Sequence, residues 1–310
     1  MKKTLSVVVS CYNEELALNR FYEETVSILK NLSWKYELIF VNDGSQDQTL
    51  SVLTRLSESD DRVKVISFSR NFGHEAAMIA GLDYSKGDGI VCMDADLQHP
   101  PEYLTEIVKK LEEGYDVINM VRTRNESAGW FKNFASSAFY RLINVLSDVK
   151  FEPNASDFFA VSGKAAKVLK DNYREKVRFL RGYVQNIGYP RTMIEYEART
   201  RVAGESKYSI KKLIAFSVNT IMCFSNLPLK LGIYAGCGAG ILGIIMMIYT
   251  IWSWARVGTP SGYATIIVLI CFMFAVLFLI VGIIGNYIAI LFAELKDRPI
   301  YIVEETKNIH

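Results

Sequence analysis

What these 310 residues lack narrows the chain first. Its five cysteines, Cys11, Cys92, Cys223, Cys237 and Cys271, form no C-x-x-C pair, so neither a disulfide framework nor a zinc site is indicated. They read as small core residues. There is no basic arm, no interleaving of aromatic with basic residues, and a net charge of only +2, so a nucleic-acid partner is not expected. The N-terminus, Met1-Lys2-Lys3 and a short apolar run from Leu5 to Cys11, has neither the length nor the cleavage site of a secretory signal. The soluble part is therefore expected to stay in the cytoplasm. No internal repeat or low-complexity segment occurs. Charge itself is missing twice: Leu231 to Ala255 and Tyr263 to Ala293 contain no Lys, Arg, Asp or Glu. Each run can cross a hydrocarbon core of roughly 30 Å, and such runs are rare in soluble cores.

Two transmembrane helices are expected, about 231–255 and 264–293, inside a membrane segment 229–294. Lys211, Lys212 and Lys230 precede the first, Lys296 and Arg298 follow the second, and the connecting loop holds only Arg256. That bias puts both flanks on the cytoplasmic side of a multi-pass inner-membrane protein. Residues 1–208 then form a soluble domain, 209–228 an interfacial helix in which Lys211 and Lys212 sit beside Leu213, Ile214 and Phe216, and 295–310 a cytoplasmic tail. Gly232, Gly236 and Gly240 recur at intervals of four, a stripe that permits close helix approach.

In the soluble part, β-rich runs alternate with amphipathic stretches. Leu5–Ser10, Tyr36–Val41, Val63–Phe68, Ile90–Met93 and Val117–Val121 read as strands, with helical patterns such as Glu15–Leu32 and Glu102–Glu113 between them and another at Lys132–Leu146. The fold class is α/β, a mostly parallel sheet with helices on both faces. Ligands of such sheets bind beyond the carboxyl ends of the strands. Polar clusters lie there: Cys11-Tyr12-Asn13-Glu14, Asn42-Asp43-Gly44-Ser45 and Asp94-Ala95-Asp96.

Asp94 and Asp96 leave a strand at i and i+2, a spacing at which two carboxylates share one hard divalent cation that neutralises a diphosphate. Gln98 offers a further neutral oxygen. Paired acids also cap helices, and Pro100-Pro101 does begin one here. Asp43, at the end of an apolar strand, can accept hydrogen bonds from a base or ribose, or can serve an Asx turn.

Cys11-Tyr12-Asn13-Glu14-Glu15, Val41-Asn42-Asp43-Gly44-Ser45, Arg70-Asn71-Phe72-Gly73, Met93-Asp94-Ala95-Asp96-Leu97-Gln98 and Ala203-Gly204-Glu205-Ser206-Lys207-Tyr208 resemble, in order, the motifs of family 2 glycosyltransferases. The chain is similar to their polyprenyl-phosphate branch, the dolichol-phosphate mannose synthases and, through the two-helix tail, the bactoprenol glucosyltransferases. The resemblance implies a GT-A fold and inverting transfer of a hexose, glucose from UDP-glucose, to undecaprenyl or another polyprenyl phosphate, giving a lipid-linked sugar for use outside the membrane. N-acetylglucosamine, mannose or a modified pentose are the alternative sugars. It implies a nucleotide pocket of Tyr12, Glu14 and Asp43, with Mg2+ or Mn2+ held by Asp94, Asp96 and Gln98. It also implies a homo-oligomer, a tetramer, and a small membrane flippase as partner. Ser10 stands where many relatives have proline, a change expected to alter only local rigidity. His99 stands where relatives often carry aspartate, and is expected to face solvent, with tuning of the metal shell as the alternative.

A polyprenyl phosphate brings close to two negative charges beside a diphosphate, so the acceptor side needs cations. Arg122, Arg124, Lys132, Arg201 and Lys207 are candidates, and the resemblance maps the acceptor-phosphate contacts to Arg122, Lys132 and Ser136. Lysine at 132 gives up the bidentate geometry of arginine. Arg201 and Lys207 belong to a loop expected to close over both phosphates. Asp157 matches the family's acidic residue beside the acceptor, as a base or as a group that orients Arg122 or Lys132. A processive polysaccharide synthase would need a Q-x-x-R-W segment and more spans, which are absent. A non-catalytic nucleotide-sugar sensor would tolerate a broken D-x-D, and this one is intact.

Overall fold

Among the described residues, eight strands join in the order β7-β5-β6-β4-β1-β2-β3-β8. The computed structural model describes residues 2–123, 155–176, 178–199, 227–257 and 262–309. Strands β1 (Thr4–Cys11), β2 (Lys35–Asn42), β3 (Val63–Phe68), β4 (Gly89–Asp94) and β5 (Val117–Arg122) fall on the five expected runs. They alternate with α1 (Leu18–Leu29), α2 (Thr49–Ser59), α3 (His74–Tyr84) and, after a 3-10 turn at Pro101–Tyr103, α4 (Leu104–Glu112). Then come β6 (Ala155–Ser162), α5 (Gly163–Asn172), α6 (Leu180–Asn186) and β7 (Arg191–Tyr196). The expected helices Lys132–Leu146 and Ser209–Phe224 lie outside the described residues.

Strands β1, β2, β3 and β4 pair in parallel, and β5 pairs in parallel with β7. Strand β6 runs antiparallel to both β4 and β5. The seven residues Leu5 to Cys11 are all buried, the signature of a strand covered on both faces. Helix α4 presents Leu104, Ile107, Val108 and Leu111 to the core, the i, i+3, i+4, i+7 stripe of an amphipathic helix. Helix α3 is buried from Ala76 through Leu82, because small residues let it lie flat on β1 and β2. Gly81 marks the closest approach: a Cβ there would stand 2.0 Å from Val8 Cγ1. Of the cysteines, Cys11 and Cys92 are core residues as expected, whereas Cys237 is exposed.

Residues 295–310, expected as a tail, hold an eighth strand. Strand β8 (Val303–Lys307) pairs antiparallel with β3 and covers what would otherwise be an open sheet edge. The chain divides into two compact units, one containing the whole sheet with residues 298–310, the other containing the two long helices. These are α7 (Leu227–Val257) and α8 (Tyr263–Leu295), on which Pro228–Ser253 and Phe272–Leu295 are long and apolar enough to cross a membrane. Gly232 and Gly236 of the glycine stripe face Ile280 of α8 in the same chain: a Cβ added at either would stand in ordinary contact with that side chain, at 3.6 and 3.8 Å.

In an open helix Gly81→Ala would gain up to about 1 kcal/mol of helix propensity. Against Val8 the added methyl must displace either the strand or the helix, and a net loss of about 1–3 kcal/mol is expected. Unfolding of the detergent-solubilised variant measures the sign; a gain in stability would contradict this packing.

Candidate active site

The polar ends of β1, β2, β4 and β5 and the start of the antiparallel β6 meet along one edge of the sheet, because β6 enters where its neighbours finish. The half at the ends of β1 and β2 is built from two interlocked loops. Asn13, at φ 56°, donates its N–H to Ser45 Oγ at 3.0 Å and accepts the Gln46 N–H on Oδ1 at 2.9 Å. The Glu14 N–H reaches Thr49 Oγ1 at 2.8 Å, and Gln48 donates its N–H to Glu15 Oε2 at 2.8 Å. Tyr12, 38% exposed, stands at the rim.

Asp43 is only 2% exposed, and its carboxylate accepts the Phe72 N–H at 2.6 Å and the Gly73 N–H at 3.0 Å. Burial raises its pKa, although those two amides pull the other way. The carboxylate thus fastens the Arg70–Gly73 loop. Gly44, at φ 63°, lets that loop approach, since a Cβ there would lie 2.3 Å from the Arg70 carbonyl carbon.

The second half surrounds Asp94. Ser10 and Asp94 are register partners, and Ser10 Oγ donates to Asp94 Oδ1 at 3.1 Å while lying 2.8 Å from His74 Nδ1. Ser10 is therefore a polar member of the site, beyond the local rigidity expected of it. The His74 ring bridges two carboxylates, with Nδ1 3.6 Å from Asp94 and Nε2 3.9 Å from Asp157. Burial opposes protonation of His74, but Asp94, Asp157 and Glu75 outweigh it and raise the pKa. Arg181 grips Asp157, with Nε 3.1 Å from Oδ1 and Nη2 donating to Oδ2 at 3.3 Å, and its Nη1 also donates to the Ala155 carbonyl at 2.9 Å. Burial pushes Asp157 up, yet Arg181 and His74 together hold it below the ordinary carboxylate value.

His99 corrects an expectation. It is 6% exposed, stacked on Phe158 at 5.1 Å, and its Nδ1 accepts the Asp94 N–H at 3.0 Å. A ring nitrogen accepting an amide carries no proton, which agrees with the downward shift that burial imposes. Asp96 is buried, with Oδ1 accepting the Gln98 N–H at 3.0 Å, and Leu97 between them adopts φ 62°. Gln98 Oε1 accepts from Arg122 Nη2 at 3.3 Å, and Arg122 Nε is buried without a hydrogen-bond partner among the described residues. Lys132, Ser136, Arg201 and Lys207 lie outside the described residues, as does Arg124.

Among the described residues, no three His, Cys, Asp or Glu side chains are grouped to hold a metal. Asp94, Asp96 and Gln98 form an all-oxygen set that suits a hard cation needing further oxygens, such as those of a diphosphate. His74 and Arg181 escaped the sequence reading. His74 directly follows the Arg70–Gly73 motif and opens α3, which was the available signal; nothing local marks Arg181 among its neighbours.

A mostly parallel α/β sheet with Asp94 and Asp96 at its C-terminal edge is the architecture of the GT-A class of glycosyltransferase. Residues 6–167 match the model of Glycosyl transferase family 2. The uncharacterized glycosyltransferase YkcC of Bacillus subtilis (strain 168) is 40% identical, over 98% of this chain and 94% of that protein. The SfII prophage-derived bactoprenol glucosyl transferase of Shigella flexneri is 33% identical over 97% and 98%. Glucosyl-3-phosphoglycerate synthase from Mycobacterium tuberculosis, solved with Mn2+, UDP and phosphoglyceric acid, shares the fold with a TM-score of 0.50 at 21% identity, over 71% and 76% of the two chains. The chain belongs to glycosyltransferase family 2 and is a glycosyltransferase.

Burial, and after it the Asp157 charge, push Glu75 up to about 7. In an unfolded chain it titrates near ~4.3. Between those values the folded protein binds the extra proton, so this group costs stability as pH rises through the window, and no more above it. Glu75→Gln is expected to melt higher than wild type at about pH 8, with the difference closing toward ~pH 4. A pH-independent difference in melting temperature would contradict the shift.

Proposed function

We propose that this glycosyltransferase moves glucose from UDP-glucose to a polyprenyl phosphate, undecaprenyl phosphate being the expected acceptor, with inversion at the anomeric carbon. The observation that carries the reading is one sheet edge where His74 links Asp94 to the Asp157–Arg181 pair and Gln98 bonds Arg122, in a chain similar over 97% of its length to a bactoprenol glucosyl transferase.

An oxygen of the acceptor phosphate attacks the anomeric carbon from the face opposite the diphosphate, and the carbon–oxygen bond to UDP breaks with its electron pair. Bound Mg2+ or Mn2+ would neutralise charge on the departing diphosphate, held by Asp94, Asp96 and Gln98. Tyr12, Glu14 and the loop fastened by Asp43 receive the nucleotide. Arg122 receives the acceptor phosphate, joined by Lys132, Ser136, Arg201 and Lys207. The phosphate loses its last proton near ~6, so it needs no strong base, and a carboxylate held low by Arg181 would be a poor one. Asp157 accordingly orients the cations of the acceptor wall.

The two apolar helices seat the protein in a membrane. Lys230, Lys296 and Arg298 at their outer ends favour a cytoplasmic catalytic unit. The tetramer and the small flippase rest on the family resemblance alone.

Purified protein incubated with undecaprenyl phosphate and radiolabelled nucleotide sugars should yield a lipid-linked product with UDP-glucose. A product from UDP-N-acetylglucosamine or GDP-mannose would change the sugar, and no product from any donor would favour the sensor reading. Asp96→Asn and EDTA should each abolish transfer while the melting temperature holds, and full activity in either would remove the cation. Asp157→Asn should leave a partial rate that still rises through about pH 6. Collapse to background at every pH, with nucleotide binding intact, would make Asp157 the base.

A further inference from the structure

The chain beyond α8 returns to the catalytic unit at a place the proposed reaction does not use. Ile302 accepts the Ser69 N–H on its carbonyl at 3.1 Å, and β8 then runs along β3. Asn308 closes the strap by donating Nδ2 to the carbonyls of Ser57 at 2.7 Å and Val63 at 2.9 Å. Between α8 and β8, Tyr301 donates its hydroxyl to Asp83 Oδ2 at 2.7 Å, and Arg174 Nη1 holds the same carboxylate at 2.8 Å. The Tyr301 ring lies flat against Phe68, with centroids 5.1 Å apart and planes at 12°. Phe68 in turn meets Phe72 edge-on, at 5.7 Å and 87°, and the Arg70 guanidinium covers the Phe72 ring at 3.9 Å. Phe72 is the residue whose N–H binds Asp43 at 2.6 Å.

An unbroken line of contact thus runs from Tyr301 through Phe68 and Phe72 to Asp43. The Arg70–Gly73 loop is pinned on one side by a buried carboxylate and on the other by an aromatic wall, and that wall is backed by Tyr301. We propose that Tyr301 is a positioning residue for the nucleotide: through Phe68 it fixes the Phe72 ring, and so the loop that meets the donor. The strap from residue 298 to 309 is then a working part of the donor pocket, and the chain on the far side of the two apolar helices helps to shape it. This rests on the reading of the Asp43 loop as the nucleotide pocket.

The test uses the full chain in detergent, with UDP affinity measured by calorimetry, melting temperature, and separate KM values for UDP-glucose and polyprenyl phosphate. Tyr301→Leu removes the stack and is expected to weaken UDP roughly three- to tenfold, about one aromatic contact, and to raise the UDP-glucose KM by the same factor. The lipid KM should not move. Tyr301→Phe keeps the ring, loses only the Asp83 hydrogen bond, and should bind UDP within about twofold of wild type. Asn308→Ala loosens the far end of the strap and should lower the melting temperature with UDP affinity unchanged. Should Tyr301→Leu not fold, Tyr301→Met fills similar volume without the flat ring and carries the same expectation. Wild-type UDP affinity in the Leu or Met variant, an equal rise in both KM values, or the same UDP loss in Asn308→Ala would overturn the proposal. Asp43→Asn separates the two ideas: if it alone weakens UDP, the pocket stands and the strap role falls, and if it too binds UDP normally, both fall.

Discussion

Two carboxylates on neighbouring antiparallel strands set the terms of this site. Strand β4 pairs with β6 so that Cys92 faces Phe159, and continuing that register by two residues brings Asp94 opposite Asp157. Like charges directly opposite one another destabilise a sheet. The fold answers from both sides, with the His74 ring from the start of α3 lying between the pair and the Arg181 guanidinium from α6 closing on Asp157. Ser10 holds Asp94 from β1, and His99 holds its backbone from beneath.

A similar constraint governs the ends of β1 and β2. Asp43 is buried and its carboxylate accepts two backbone amides of a neighbouring loop, so its charge fixes that loop in place. Buried carboxylates of this kind are tolerated because hydrogen bonds to the charged form offset the loss of water. Across both halves of this sheet edge, Asn13, Gly44, Gly73 and Leu97 have positive φ. For leucine that conformation is costly, and it persists because the Leu97 side chain is buried in the core while the flanking Asp96 and Gln98 are linked by a hydrogen bond.

The long helices obey a different solvent. Their apolar side chains are largely exposed, an arrangement that water would penalise and hydrocarbon accepts. Within the hairpin, Gly232 and Gly236 admit Ile280, so at least part of the small-residue stripe is engaged inside one chain.

How much of this was legible in the amino acids follows from the range of each interaction. The five parallel-type strands, the D-x-D turn and the two long helices were readable because each depends on a local pattern: apolar runs, an i, i+2 pair of acids, long runs without charge. Asp43 and Asp94 were placed correctly at strand ends for the same reason. Strand β8 was not readable, since Val303–Lys307 alternates weakly and becomes a strand only when β3 offers an edge. His99 was misread as exposed because nothing next to it announces the Phe158 ring that arrives from a strand 59 residues later. His74, Arg181 and Tyr301 belong to the same class. Their chemistry comes from partners brought close by the sheet order, and sheet order is a property of tertiary packing that local sequence patterns do not carry.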